Sequence, residues 1–377
     1  MSEGFSLEVV ARDGQARAAR LTTLHGVVET PTFMPVATFG AVRGISVEDL
    51  EAAGAQILLS NTYHLHERPG EETVEALGGL HGFTGWRRPW LTDSGGYQVT
   101  SLSDRARISE EGVTFQSPLD GRRRQLTPEN VIGIQERLGS DIAMVLDECV
   151  PVEGDAEGRT DLRRVEAAMQ RTLRWLERSK KARRRSDQAV FAIVQGGASE
   201  SLRRQSAEET AALDFEGYAH GGLGLGESRE ERQQAVSVAN ALLPEERPRY
   251  LMGLGRPLDL LDGVAAGIDL FDCVVPTRNG RHGLLFTSQG TLNLRNAVHE
   301  RDATPPDPEC VCPACRLHGR GYLRHLIRSG EALGSRLAAL HNLTYYMNLL
   351  GRARQAIVEG RFEAFRAAIE AVSERRA

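Results

Sequence analysis

Three observations predict an α/β fold, a (β/α)8 TIM barrel, for this chain. Short apolar, β-branched runs recur at residues 33–36, 57–60, 90–92, 142–146, 190–194, 218–223, 250–252 and 268–271. Amphipathic stretches lie between them, at 47–53, 128–138, 162–178, 200–213, 229–242 and 257–266. Alternating strand and helix signals imply a parallel sheet, and eight such units imply a sheet that closes on itself. The third observation is the set of residues directly after the runs: Asn61, Asp93, Asp147, Gln195, the Gly221-Gly222 pair, Gly253 and Asp272. In a barrel these residues ring the C-terminal mouth, where active sites are built.

Two segments fall outside the repeat. Residues 5–32 alternate as short strands around Asp13-Gly14 and His25-Gly26, which predicts an antiparallel lid over the barrel's bottom. Residues 277–350 hold a hairpin-like stretch at 284–294, a cysteine cluster and then helical sequence. They read as a subdomain inserted between the last strand and the last helix. That helix is expected to begin near Tyr345 and run toward Arg375. Residues 1–377 then form one catalytic domain with a subdomain inside it.

Composition narrows the class. With 41% hydrophobic and 26% charged residues, the chain has the make-up of a soluble protein with a sizeable core. No stretch approaches the roughly 20 apolar residues that span a bilayer. Residues 1–20 are polar and mixed in charge, unlike a signal peptide, so a cytoplasmic location is expected. The net charge of −5 argues only weakly against a nucleic-acid partner, because local distribution outweighs the sum. Almost every basic residue is Arg; the lysines are Lys180 and Lys181. The runs Arg122-Arg123-Arg124 and Lys180-Lys181-Ala182-Arg183-Arg184-Arg185 can meet phosphate or simply be solvated faces.

Two aspartates carry the chemistry. Asp93 sits in Leu91-Thr92-Asp93-Ser94-Gly95-Gly96-Tyr97-Gln98, and Asp272 in Phe271-Asp272-Cys273-Val274-Val275-Pro276-Thr277-Arg278-Asn279-Gly280-Arg281. In each, an apolar run ends in an acid and a glycine- or arginine-bearing loop. Two carboxylates presented this way suit glycosidic-bond chemistry, one as nucleophile and one as proton carrier. The competing reading is that each acid caps the next helix.

Of the five cysteines, Cys310, Cys312 and Cys315 cluster within one tight turn, which favours a metal over disulfides. Closed tetrahedral zinc needs a fourth ligand, and His318, His325 and His341 are candidates. His318 would strain the same turn; His341, on probable helix, can close the site from a distance. A Cys3His set of this kind is structural rather than catalytic.

Together these residues resemble the bacterial tRNA-guanine transglycosylase family. The matching segments are Ser60-Asn61-Thr62-Tyr63-His64-Leu65, the Asp93 segment, Asp147-Glu148-Cys149, Val194-Gln195-Gly196-Gly197, Gly221-Gly222-Leu223, Gly253-Leu254-Gly255-Arg256-Pro257, the Asp272 segment, and the cysteine cluster with His341. They span almost the whole chain. The resemblance implies exchange of the wobble guanine of tRNAs with GUN anticodons, those for Asp, Asn, His and Tyr, for the 7-deazaguanine preQ1. The exchange runs by double displacement, without an energy cofactor, in queuosine biosynthesis.

The resemblance also assigns roles. Asp272 is the nucleophile and Asp93 the general acid/base, its pKa expected to be raised by a neighbouring acid. Asp147 accepts from the base's N1 and exocyclic amine; Gln195 and the Gly222 N–H donate to O6. Ser94, Gly95, Gly96, Tyr97 and Cys149 line the base site, with Tyr97 stacking on the base. His64 supports the pocket and Cys273 packs into the barrel. The Leu223 carbonyl meets either the aminomethyl group of preQ1 or, after a peptide flip, the N7 side of guanine, with Glu227 as partner of that switch.

RNA is expected along Gly253, Leu254, Gly255, Arg256, Pro257, Leu258 and Asp259, and along Thr277, Arg278, Asn279, Gly280 and Arg281, read as a loop. Arg316, Arg320, Arg324 and Arg328 suggest a phosphate stripe. Implied partners are the tRNA anticodon loop, preQ1, guanine and a second copy of the chain, with Tyr322 and His325 near the contact and no membrane; the cofactor is one structural zinc. The chain departs from many bacterial members at Gly224-Leu225, where Leu225 narrows the pocket, and at Thr100. It ends before the additional RNA-binding domain of archaeal relatives. A non-catalytic RNA-binding subunit of the same fold would lack one acid, yet both are present. A barrel enzyme for small nucleosides would not need Arg278, Arg281 or the insertion.

Overall fold

The computed structural model describes residues 4–102, 106–150 and 161–374. Three strands come first: β1 (Ser6–Asp13), β2 (Ala16–Thr23) and β3 (Gly26–Thr30), paired antiparallel in that order. They form the expected lid. Its anchor is Arg17, fully buried, whose guanidinium forks onto Asp269 at 3.0 and 2.5 Å and onto the carbonyls of Glu245 and Arg247. These groups stand just before barrel strands, so the lid covers the strands' N-terminal ends.

The barrel strands are β4 (Thr32–Met34), β5 (Leu58–Asn61) and β6 (Trp90–Asp93), then, after a small sheet, β10 (Ile142–Met144), β11 (Ala189–Val194), β12 (Gly217–His220), β13 (Arg249–Leu251) and β14 (Leu270–Asp272). They pair in parallel in the order β4-β14-β13-β12-β11-β10-β6-β5. A parallel bridge between Val36 and Leu59 closes the ring, with Ala37 N–H 2.6 Å from the Leu59 carbonyl. All eight expected runs are strands. They are nearly continuous in buried apolar side chains, as strands covered on both faces must be.

The expected helices form at Val47–Ala52, Pro128–Leu138, Leu162–Ala182, Glu200–Ala212, Arg229–Asn240 and Pro257–Ala265. Caps explain their starts. Ser46, Thr127 and Ser228 each accept an N–H three residues on, while Asp49, Asn130 and Glu231 bond back to the cap's own N–H. One element went unread in the sequence: a three-stranded sheet of β7 (Arg107–Ile108), β8 (Val113–Gln116) and β9 (Arg123–Leu126). Its strands are two to four residues long, and β7 and β9 carry arginines, so the one short alternation in β8 does not stand out. The run Arg122-Arg123-Arg124 belongs to it, and Arg124 pairs with Glu67 and Asp120.

After β14 the segment expected as a loop is a short helix, Val275–Arg281, with Pro276 in its first turn, where its missing N–H costs nothing. A hairpin of β15 (Leu284–Thr287) and β16 (Gly290–Asn293) comes next, then helices Pro313–Leu317 and Arg320–Ser329. The next helix, Ala332–Val358, begins well before Tyr345, and a separate helix, Phe362–Glu374, completes the described chain. Asn342 donates to the Pro276 and Leu284 carbonyls and accepts from Phe286 N–H, which ties insertion to barrel.

The Arg17–Asp269 pair is sealed from water on both sides. Arg17→Met, which strands the buried carboxylate, is expected to cost about 3–5 kcal/mol in chemical denaturation.

Candidate active site and metal centre

The strand ends enclose a cavity of about 540 Å³. Asn61, Asp93, Asp147, Gly221, Gly222, Gly253 and Asp272 all line it. Gln195, also expected at the rim, is buried beside Asp147 and donates to its Oδ2 at 2.6 Å.

Asp93 is buried at the end of β6. Its Oδ2 accepts from Asn61 Nδ2 at 2.6 Å and its Oδ1 from the Thr62 N–H at 3.0 Å. Burial nevertheless pushes its pKa up to about 7, with a smaller upward push from the charge of Asp272 and opposing pulls from Asn61, Thr62 and Gln98. The neighbouring acid was the expected cause; loss of water is the larger one.

Asp272 closes β14, partly open to the cavity. Its Oδ1 accepts both the Tyr250 hydroxyl at 2.6 Å and the Gly253 N–H at 2.7 Å. Burial raises this group too, and the two donors pull it back toward the carboxylate. Among the described residues no donor takes Oδ2. One oxygen is held and one is available, which is the arrangement a carboxylate nucleophile needs.

Asp147 is pushed up to about 6 by burial, offset by Gln195 and by Ser94. Ser94 lines the cavity beside it, and its Oγ accepts the Gly96 N–H at 3.4 Å. Gly222 has φ +67, and a Cβ there would stand 2.4 Å from Gln195 Oε1, so only glycine fits. Gly96 is similarly hemmed by the Asp147 carbonyl, and Gly95 by Tyr63. Tyr97 is half-exposed at the cavity mouth. Cys149 lines the cavity as a thiol, pushed up to about 12 by burial and then by Asp147. Cys273 is likewise pushed up to about 11 by burial and by Asp272, so neither sulfur competes as nucleophile. His64 lines the wall beside Phe39. Leu223, Gly224 and Leu225 line the far edge, and Glu227 sits behind them, accepting the N–H groups of Gly224 and Leu225. The side chain of Thr100 lies outside the described residues.

A second cavity, of about 620 Å³, shares Val275 and Arg278 with the first. Arg256, Pro257, Leu258, Asp259 and Asn279 line it. Arg281 is partly buried and lowered by that burial, then by the charges of Arg43 and Arg278, so three cations stand together beside the mouth. Not every expected RNA residue faces out. Leu254, Gly255, Thr277 and Gly280 are buried. Gly280 packs on the long helix, where a Cβ would meet the Ala339 backbone at 2.6 Å, and Gly255 packs on Cys273. In the insertion, Arg320 and Arg324 donate to the Pro305, Pro306 and Asn296 carbonyls, so they are bound within it. In the other basic run, Arg183 and Arg185 pair with Glu216 and Asp187.

Several working residues carried no sequence signal. Tyr250 and Gln98 touch the two acids. Arg203, fully buried, gives Nε to the Gly197 carbonyl, Nη1 to Val194 and Nη2 to Gly221, clamping the loops that carry Gln195 and Gly222. It reads as an ordinary surface arginine in an amphipathic helix, with Glu200 three residues before it at helical spacing.

Cys310, Cys312, Cys315 and His341 bring their ligand atoms within 4.8 Å of one another, so they could hold a metal ion. His341 Nε2 lies 2.8 Å from the Phe286 carbonyl and must donate there. That tautomer leaves the Nδ1 lone pair facing the sulfurs of Cys312 and Cys315, at 3.5 and 3.2 Å. His318 and His325 stand outside this cluster.

A (β/α)8 barrel with paired acids at one rim places the chain among the barrel enzymes, and its similarity to known proteins defines it as a transferase of the pentosyl class. The queuine tRNA-ribosyltransferase family model matches residues 13–375. A queuine tRNA-ribosyltransferase of Thermus thermophilus is 55% identical over 361 residues, covering 96% of this chain and 92% of the relative. Those of Solidesulfovibrio magneticus and Acetivibrio thermocellus are 54% and 52% identical, covering 96% of this chain and 95% and 96% of their own lengths. The chain belongs to the queuine tRNA-ribosyltransferase family.

The raised acids leave a thermodynamic mark. Between the ordinary value of 3.8 and about 7, folded Asp93 keeps a proton that the unfolded chain gives up. Stability therefore falls as pH rises through that window. Denaturation midpoints measured from pH 4 to pH 8 should show this decline, and Asp93→Asn should flatten it in part, Asp147 and Asp272 supplying the rest.

Proposed function

We propose that this chain replaces the wobble guanine of GUN-anticodon tRNAs (Asp, Asn, His and Tyr) with preQ1, through a covalent enzyme–RNA intermediate in queuosine biosynthesis. One observation carries the reading. Two acids converge on one cavity, one with a carboxylate oxygen free of donors among the described residues and one raised to about 7, beside an Asp147–Gln195–Gly222 edge complementary to guanine.

Asp272 attacks C1′ of the ribose, forming an ester as the bond from C1′ to the base nitrogen breaks. Asp93, half-protonated near neutrality, gives the departing guanine its proton. Incoming preQ1 returns a proton to Asp93, and its ring nitrogen displaces the ester. Tyr250 and Gly253 hold Asp272 in line throughout, and charge on Oδ1 is spread onto two donors. Asp147 reads N1 and the exocyclic amine; Gln195 and Gly222 read O6. Tyr97 stacks on the base. The Leu223 carbonyl meets the aminomethyl group, with Glu227 as partner of the peptide switch, and in the described geometry the Gly224 N–H is given to Glu227.

The anticodon loop lies across Gly253, Arg256–Asp259 and the Arg278–Arg281 helix, with Arg43 completing the basic patch. Zinc fits the Cys3His cluster by donor type and by the His341 tautomer. It would hold residues 277–350 as a subdomain on the barrel, supplying no chemistry. The insertion exposes Val298, Val311, Leu317 and Tyr322, apolar surface that a second copy would cover in a homodimer. Among the described residues no helix is long and apolar enough to cross a membrane. A tRNA substrate places the enzyme in the cytoplasm.

An anticodon stem-loop incubated with 9-deazaguanine should trap a protein–RNA ester that survives denaturing electrophoresis and maps by mass spectrometry to Asp272. Asp272→Asn should give no adduct and lose roughly three orders of magnitude or more in base exchange. An ester on Asp93 would reverse the two roles. Chelation, or His341→Ala, should lower the melting temperature by roughly 5 °C or more while zinc restores only the chelated wild type.

A further inference from the structure

We infer that Arg232 is a positioning residue for base choice: it locks the Leu223–Gly224 peptide in the orientation that favours a 7-deazaguanine with a cationic aminomethyl arm over guanine. The inference rests on the proposed function, in which the Leu223 carbonyl meets that arm.

Ser228 caps the helix Arg229–Asn240, accepting the Glu231 N–H at 3.1 Å, and sets Arg232 in its first turn. The guanidinium forks between two acids. Nη1 lies 3.3 Å from Glu227 Oε1 and Nη2 lies 2.7 Å from Asp259 Oδ1. Asp259 is itself fixed, accepting the Arg256 N–H at 3.1 Å where the helix Pro257–Ala265 begins. Arg232 thus braces Glu227 against a second, independently anchored element.

Glu227 does one visible thing. Its carboxylate accepts the Gly224 N–H at 2.5 Å on Oε1 and the Leu225 N–H at 3.0 Å on Oε2. In a trans peptide the carbonyl points opposite to the N–H. With the Gly224 N–H turned to Glu227, the Leu223 carbonyl turns away from it, and both residues line the cavity. A base bearing an ammonium arm pairs with that acceptor. Guanine leaves it without a donor, a penalty that disfavours guanine.

The lock holds only while Glu227 stays in place. Its side chain is 2% exposed and that of Arg232 16% exposed, so the pair is largely shielded from water and its hold on Glu227 is stronger than a surface pair's. Without Arg232 the carboxylate loses its only ion-pair partner among the described residues, and the peptide is freed to turn its N–H toward the N7 side of a guanine. Arg232 touches neither the nucleophile nor the proton carrier, so the rate of the chemical step is not its province.

The test compares Michaelis constants for preQ1 and for labelled guanine in tRNA exchange, for wild type, Arg232→Met and Arg232→Lys. Arg232→Met is expected to raise the KM for preQ1 about tenfold and to leave the KM for guanine within about twofold, kcat being unchanged for both. Arg232→Lys, which keeps a cation beside Glu227, should recover most of the preQ1 loss. Equal shifts for both bases, or no shift, would overturn the proposal, since a merely structural role moves both together. Should Arg232→Met fail to fold, Arg232→Gln is judged by the same split. If wild type transfers neither base into tRNA, the site reading itself falls, and this inference with it.

Discussion

The ring of parallel strands, closed where Val36 bridges to Leu59, is the constraint on which the molecule depends. Because every strand runs the same way, the residues that end them meet at one rim. Asp93 ends β6 and Asp272 ends β14, far apart in sequence, and closure alone brings them to one cavity. Asn61 faces Asp93 across the β5–β6 pair whether or not the sheet closes, but without the junction between β4 and β5 Asp272 would stand on the far side of the sheet from both. The lid and the long helix act on the same ring from outside, the lid through the buried Arg17–Asp269 fork and the helix through Asn342.

Two acids in one cavity are made different by what surrounds them. Asp93 spends both oxygens on Asn61 and Thr62 yet remains easy to protonate, because burial outweighs those bonds. Asp272 spends a single oxygen on two donors and presents the other. The division of labour comes from donor placement and water exclusion, not from residue type. The same economy explains the two thiols nearby: burial beside a carboxylate keeps Cys149 and Cys273 protonated and out of the chemistry.

Much of this was legible in the sequence, and the reasons are specific. Barrel strands buried on both faces read as apolar runs, and the helices that cover them read as amphipathic stretches, so the α/β alternation stood out. Both acids stood out because each ends such a run. The three-stranded sheet at 107–126 did not, since its short strands are half exposed and carry arginines. Tyr250, Gln98 and Arg203 were silent for another reason: their roles are set by partners remote in the chain, which no local pattern encodes. The stretch after Asp272 was read as a loop because of its Pro, Asn and Gly, yet Pro276 opens a helix. Gly280, taken for an RNA contact, is a packing residue, a distinction that needs the neighbouring helix in view.

That glycine has a practical corollary for anyone who wishes to retarget the enzyme to other anticodons. The cationic face beside the mouth rides on a helix whose back is flush against the Ala338–Ala339 backbone. A library that varies Arg278, Asn279 and Arg281 explores new recognition on a rigid platform. One that also varies position 280 inserts a wedge beneath that platform and disturbs the strand end that carries Asp272, the proposed nucleophile, so its members would forfeit turnover before they could gain any new preference.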